Sequence, residues 1–335
     1  MKHKWHNENS SFLTRHSSLA AMKLLVLLAF GTVSVGAQAP PPDGRPAPAG
    51  LYTAPLDAAL RTEIETVLKT RNYSRAEELL ESELEKNPGS PQLLTLLGGT
   101  FFLDGKYLNC AIAMKKADAL TPLDERSRFT LAMSYVSLKR SDWARPELEK
   151  LAAGSPQNAL YTYWIARLDY DASQYPAAIA ALQRALRLDP GFVRAHDNLG
   201  LCYEALGKYA EAIESFKEAV RLNRQAPRGS PWPPLNLALL LSKLGHMQEV
   251  EAYLKESLRY DPGFAQAHYQ LGVLLEKRQK PSEALEELDQ AADLDPSYAE
   301  PHYALARIYR RMGEREKADK SIATFLKLKS QEAKK

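Results

Sequence analysis

A dipeptide ending in proline recurs every 34 residues through the first part of the chain, at Asn87-Pro88, Thr121-Pro122, Ser155-Pro156 and Asp189-Pro190. Proline lacks the amide a helix interior needs and biases the residue before it away from helical angles, so each pair ends a helix. The stretch Val193 to Ala226 shows most clearly what lies between such stops. Leu199, Cys202 and Tyr203 fall at helical spacing on one face of a first helix. Ile213, Phe216 and Val220 do the same on a second. Gly200 and Ala212 are small enough to let the two helices approach closely, and Gly207 breaks the run between them. One such hairpin cannot cover its own apolar face, so copies must stack.

The order His196, Leu199, Gly200, Tyr203, Ala212, Phe216, Ala219 resembles the tetratricopeptide repeat. His196 stands where that family usually has a large aromatic, and Arg224 where it has a late proline. Counting back from Val193 gives units at 57–90, 91–124, 125–158 and 159–192, so residues 57–226 hold repeats 1–5. The first matches least well, as an end repeat with one face in solvent should. A four-residue insertion, 227–230, then shifts the register, and repeats 6–8 follow over 231–332, two of them closing on Asp261-Pro262 and Asp295-Pro296. The insertion is expected to divide five repeats from three, as a surface loop or a hinge, and to delay the next helix to about Pro233 or Pro234. The resemblance implies an all-α, right-handed superhelical α-solenoid of about eight helix-turn-helix units.

Residues 1–37 carry an export signal: Lys23 precedes the apolar run Leu24 to Val35, and Val35-Gly36-Ala37 offers the small residues of a cleavage site. Met22 is an alternative start. Cleavage after Ala37 sends the mature chain to the periplasm or outside the cell, whereas an uncleaved segment would act as an N-terminal anchor. Residues 38–56 form a Pro-rich linker, and 333–335 a short basic tail. Net charge is +3, all of it from residues 1–37, and the remainder carries equal numbers of acidic and basic side chains. That balance argues against nucleic acid as a general partner.

No nucleophile elbow, phosphate loop or zinc-protease motif occurs, and no catalytic residue, cofactor or metal is expected. His196, His268 and His302 occupy one repeat position and are read as packing residues. Cys110 and Cys202, nearly three units apart, are read as free thiols. Asp169-Tyr170-Asp171 and Asp293-Leu294-Asp295 resemble the aspartate pair of some sugar transferases, and Asn198 with Asn236 resembles the asparagine ladder of repeat-bearing ones. The chain ends after the last repeat, so the expectation is a non-enzymatic arm.

In this family the first helices line a concave face. Carried over by repeat position, the partner-binding groove would hold Tyr163, Trp164, Arg167 and Tyr170, then Arg194, Asp197, Asn198 and Glu204. Trp232, Asn236, Tyr269, Gln270, Tyr303, Arg307 and Arg310 would continue it. Aromatic and arginine side chains dominate binding energy at interfaces, so the resemblance implies a scaffold holding a protein or peptide, with a homo-oligomer as the alternative partner. The lysine and asparagine set of the carboxylate-clamp relatives is missing. Replacing Tyr163, Arg167 and Tyr170 by alanine is expected to keep helicity and weaken binding. Arg307, Arg310 and Arg311 cluster on one first helix, as a solvated face or as a dock for an acidic peptide.

Overall fold

The computed structural model describes residues 54–333, which form sixteen α-helices and no strand. They pair into eight hairpins of a first and a second helix. The first four are α1 (Ala58–Lys69) with α2 (Tyr73–Lys86), α3 (Pro91–Asp104) with α4 (Tyr107–Leu120), α5 (Glu125–Ser137) with α6 (Ser141–Gly154), and α7 (Ala159–Asp171) with α8 (Tyr175–Leu188). The second four are α9 (Val193–Ala205) with α10 (Tyr209–Gln225), α11 (Trp232–Leu244) with α12 (Met247–Tyr260), α13 (Ala265–Lys277) with α14 (Pro281–Leu294), and α15 (Ala299–Arg311) with α16 (Arg315–Glu332). The all-α class that the resemblance implies is the class observed.

Every hairpin turn contains one residue in the left-handed region. Glycine fills it at 105, 207, 245 and 313, but Arg71, Lys139, Ser173 and Gln279 fill it elsewhere, with φ between 57° and 60°. The next residue's amide reaches back five residues to the first helix, as in Lys208 N to Tyr203 O at 2.9 Å and Lys280 N to Leu275 O at 3.0 Å. This closure satisfies carbonyls that the helix end leaves open. The left-handed positions are 34 residues apart except from Gly207 to Gly245, where the spacing is 38. The insertion is thereby confined to one junction.

The chain divides into two compact units between Tyr161 and Thr162, within α7. In the first unit Phe102, Met114, Phe129 and Met133 are fully enclosed. Polar side chains fasten its hairpins together: Arg128 donates to Glu147 at 2.6 Å and to Asp118 at 3.1 Å, and the Tyr161 hydroxyl donates to Glu125. The second unit has one continuous apolar core running from Ala212 and Phe216 through Leu235, Leu254 and Leu271 to Leu305 and Ile308. Two of its helices cross closely at Gly200, where a Cβ would stand 2.6 Å from the Phe216 ring. The small residue is required there by the approach of α9 to α10.

The insertion lies inside the second unit and is fastened on both sides. Helix α10 has 17 residues where α2, α4, α6, α8, α12 and α14 have 14, so part of the extra length becomes helix. Asn223, buried on that added turn, donates to Ser230 O at 2.9 Å and accepts from Ser230 N at 2.8 Å. Ser257 Oγ donates to Pro231 O at 2.7 Å, and Arg224 makes two bonds to the buried Glu256. Both neighbouring second helices thus clamp this junction. Helix α11 begins at Trp232, with Pro233 and Pro234 in its first turn.

The expected export signal and nearly all of the Pro-rich linker lie outside the described residues. Among the described residues no helix is long and apolar enough to cross a membrane.

Candidate partner-binding surface

The first helices of the second unit are joined to one another by polar side chains that reach past the intervening second helix. Arg167 on α7 donates to Asn198 Oδ1 on α9, and Asn198 Nδ2 donates to Tyr163 Oη at 3.2 Å and to Arg194 O at 2.8 Å. Asn236 Nδ2 on α11 lies 3.0 Å from both carboxylate oxygens of Asp197 on α9. Lys243 donates to Glu204 at 3.0 Å between the same two helices. On α13 the buried Glu276 receives Arg307 Nε at 2.9 Å, Arg307 Nη2, and Arg311 Nη2 at 2.8 Å, all from α15.

These bonds change the reading of the groove. Tyr163, Trp164, Tyr170, Asp197, Asn198 and Asn236 are all buried. Tyr163 packs on Phe192 with ring centroids 4.9 Å apart, and Tyr170 edges onto Tyr175 at 5.5 Å. These side chains are thus enclosed among the helices. The alanine triple at Tyr163, Arg167 and Tyr170 is accordingly a core change, one that would damage the fold along with any binding. The reason is geometric: the repeat position sets which face a side chain occupies, but the neighbouring first helix comes close enough to cover it. Burial pushes the Asp197 carboxyl up to about 6, although the Asn236 amide and Arg167 both favour its charged form.

Arg194 lies half-buried over the Tyr163 and Phe192 rings, at 5.5 and 5.3 Å. Trp232 is half-buried against Phe264, and Tyr269 against Tyr298, with Gln270 beside it in sequence and also half-buried. Only the last repeat presents its predicted residues openly. Tyr303 is 46% exposed with its ring on Phe325, and Arg307 and Arg310 are exposed. Together with Ala306, Arg311 and Ile322 they line a pocket between α15 and α16. The carry-over missed Ile322, on a second helix, and Glu276, which is 31 residues from Arg307 and so lies about one helical turn off the 34-residue step between successive first helices.

The other sequence candidates resolve into structural roles. His196 and His268 each place Nε2 3.0 Å from the carbonyl of the repeat-closing proline six residues earlier, Pro190 and Pro262. His268 Nδ1 also meets Glu287 at 2.6 Å, and this contact raises its pKa, whereas burial lowers that of His302. Asp169 is buried while Asp171 is exposed and pairs with Arg167, so the two do not converge on one site. No group of three or more His, Cys, Asp or Glu side chains among the described residues is placed to hold a metal ion. Cys110 and Cys202 are buried free thiols, each pushed up to about 12 by burial.

Family profiles described as tetratricopeptide or TPR repeats match residues 165–227, 235–264, 277–313 and 302–335. TPR repeat-containing protein YpiA of Bacillus subtilis (strain 168) is 26% identical over 191 residues, a match covering 55% of this chain and 43% of that protein. The chain thus spans less than half the length of that relative. Among solved structures, a tetratricopeptide repeat protein from Parabacteroides merdae aligns with TM-score 0.60 at 18% identity, covering 79% of this chain and 98% of that one. The Pseudomonas aeruginosa protein pilF aligns with TM-score 0.53 at 23% identity, covering 65% and 97%. At these identities the structural likeness is one of fold. The eight hairpins, their recurring left-handed turns and the matching profiles agree that the chain belongs to the tetratricopeptide repeat proteins.

Proposed function

We propose that this chain is a non-catalytic scaffold that holds a partner polypeptide on the first-helix surface of its second unit. The observation that carries this reading is the contrast along that surface. Polar side chains from α7 to α11 are spent on joining helices, while the last repeat leaves an aromatic ring and arginines open beside a pocket. A pre-stiffened support with a few exposed anchors suits binding, because little ordering cost remains to be met on association. The sequence of residues 22–37 supports an exported location, which belongs to the same proposal.

Affinity capture with residues 38–335 as bait in an envelope extract tests it, beside a Tyr303→Ala/Arg310→Ala variant. Both substitutions are at exposed positions, so the variant keeps the helical circular dichroism of the parent. A protein retained by the parent and lost by the variant supports the reading. Equal recovery on both would move the binding surface elsewhere.

A further inference from the structure

Arg307, Arg310 and Arg311 sit at i, i+3 and i+4 of α15 and share one face of it. Among the described residues one carboxylate, Glu276, pairs with them. This buried carboxylate takes Arg307 through Nε and Nη2 and Arg311 through Nη2. That fixes two arginines while 46% and 59% of their side chains stay exposed. Arg310 has no side-chain hydrogen bond or ion pair among the described residues. Three positive charges against one negative leave this face strongly positive. Residues 299–335 as a whole carry ten basic and five acidic side chains. An apolar shelf adjoins the arginines, made by Tyr303, Ala306 and Ile322, with Phe325 backing the Tyr303 ring.

We propose that this pocket reads an acidic peptide: a carboxylate side chain engages Arg310 and the outward N–H groups of Arg307 and Arg311, and a neighbouring apolar side chain lies on Tyr303 and Ile322. This rests on the scaffold reading above and names the chemistry of the partner. Guanidinium groups match carboxylates in geometry as well as charge, and two of the three are already held in place. The patch is one repeat wide. The next first helix, α13, contributes the acidic Glu276, α11 contributes a lysine already paired to Glu204, and α9 carries Asp197 and Glu204. A polyanion backbone needs a longer positive track than that, so this patch suits a short acidic run better than nucleic acid.

The test uses the chain from residue 38 to 335 and fluorescence anisotropy with a labelled twelve-residue peptide of alternating glutamates around one central leucine. A glutamine-for-glutamate analogue and a single-stranded oligonucleotide run beside it. The expected result is binding of the acidic peptide, at least about tenfold weaker binding of the glutamine analogue, and about tenfold weakening by Arg310→Gln. Arg310→Lys should recover part of the loss, because it restores charge without the bidentate fork. Equal binding of the glutamine analogue, an unaffected Arg310→Gln protein, tighter binding of the oligonucleotide, or no peptide binding at all would each overturn the proposal. If peptide binding fails while Tyr303→Ala/Arg310→Ala still loses a captured protein, the acidic specificity is wrong and the scaffold reading stands.

Discussion

Neutralising Asp197 should make the second unit more stable at neutral pH, with the advantage shrinking as the pH falls. The carboxyl is 6% exposed and its pKa is lifted from 3.8 to about 6, chiefly by burial. A folded-state pKa above the unfolded one means that the folded protein prefers the proton. The stabilisation is complete below pH 3.8 and is lost as pH rises through 6. Carried as a charge at pH 7.5, the buried group costs about 3 kcal/mol relative to its protonated form, and at pH 5 about half of that remains. Asp197→Asn removes the charge while keeping an oxygen to accept from Asn236, so it should exceed the parent in stability most at neutral pH. The quantity to read is the change of that difference with pH, since any misfit of the new amide cancels. Urea denaturation followed by the emission of Trp164 and Trp232, on the first helices either side of α9, should show the gap narrow by about half from pH 7.5 to 5. A gap that stays constant, or widens on acidification, would refute the assignment of a buried, reluctantly charged Asp197.

Four further outcomes follow from the packing. Gly200→Ala should destabilise the second unit by about 2 kcal/mol in the same denaturation assay, because the new methyl overlaps the Phe216 ring. Gln279→Gly should raise stability by about 1 kcal/mol, as it relieves a left-handed residue that carries a Cβ, and a loss would show that the Gln279 side chain does more than occupy the turn. In a histidine NMR titration His268 should titrate above 6.5 and His302 below it, and Glu287→Gln should bring His268 down. Both thiols should resist an aromatic disulfide reagent until urea unfolds the chain, and fast labelling of the native protein would contradict their burial.

The proline pairs and the Leu-Gly and Ala-Phe-Ala pattern were enough to read the helical hairpins and their spacing, because both are fixed by contacts within one repeat. The surface was harder to read. Asp197, Asn198 and Asn236 occupy positions that can face a groove, but their burial depends on how closely the next first helix approaches, which no single repeat records. The turns were legible at Gly105 and Gly207, where a breaker marks them. They were silent at Arg71, Lys139, Ser173 and Gln279, where the stacking of whole hairpins imposes the left-handed angle on an ordinary residue. At the last repeat the arginine cluster was visible, while Glu276 and Ile322, which shape its pocket, come from other helices.

The Asn223 to Ser230 clamp makes the junction a port for foreign sequence. The ends of the insertion are held by a reciprocal pair of bonds between the Asn223 side chain and the Ser230 backbone, and Pro227 and Arg228 between them are exposed. Lengthening a closed loop costs little, roughly 0.6 kcal/mol per doubling. A tag or a whole second domain could therefore be spliced between Pro227 and Arg228 while α10 and α12 keep their grip on either side. Five repeats upstream and three downstream would then display a cargo at a fixed address along the array.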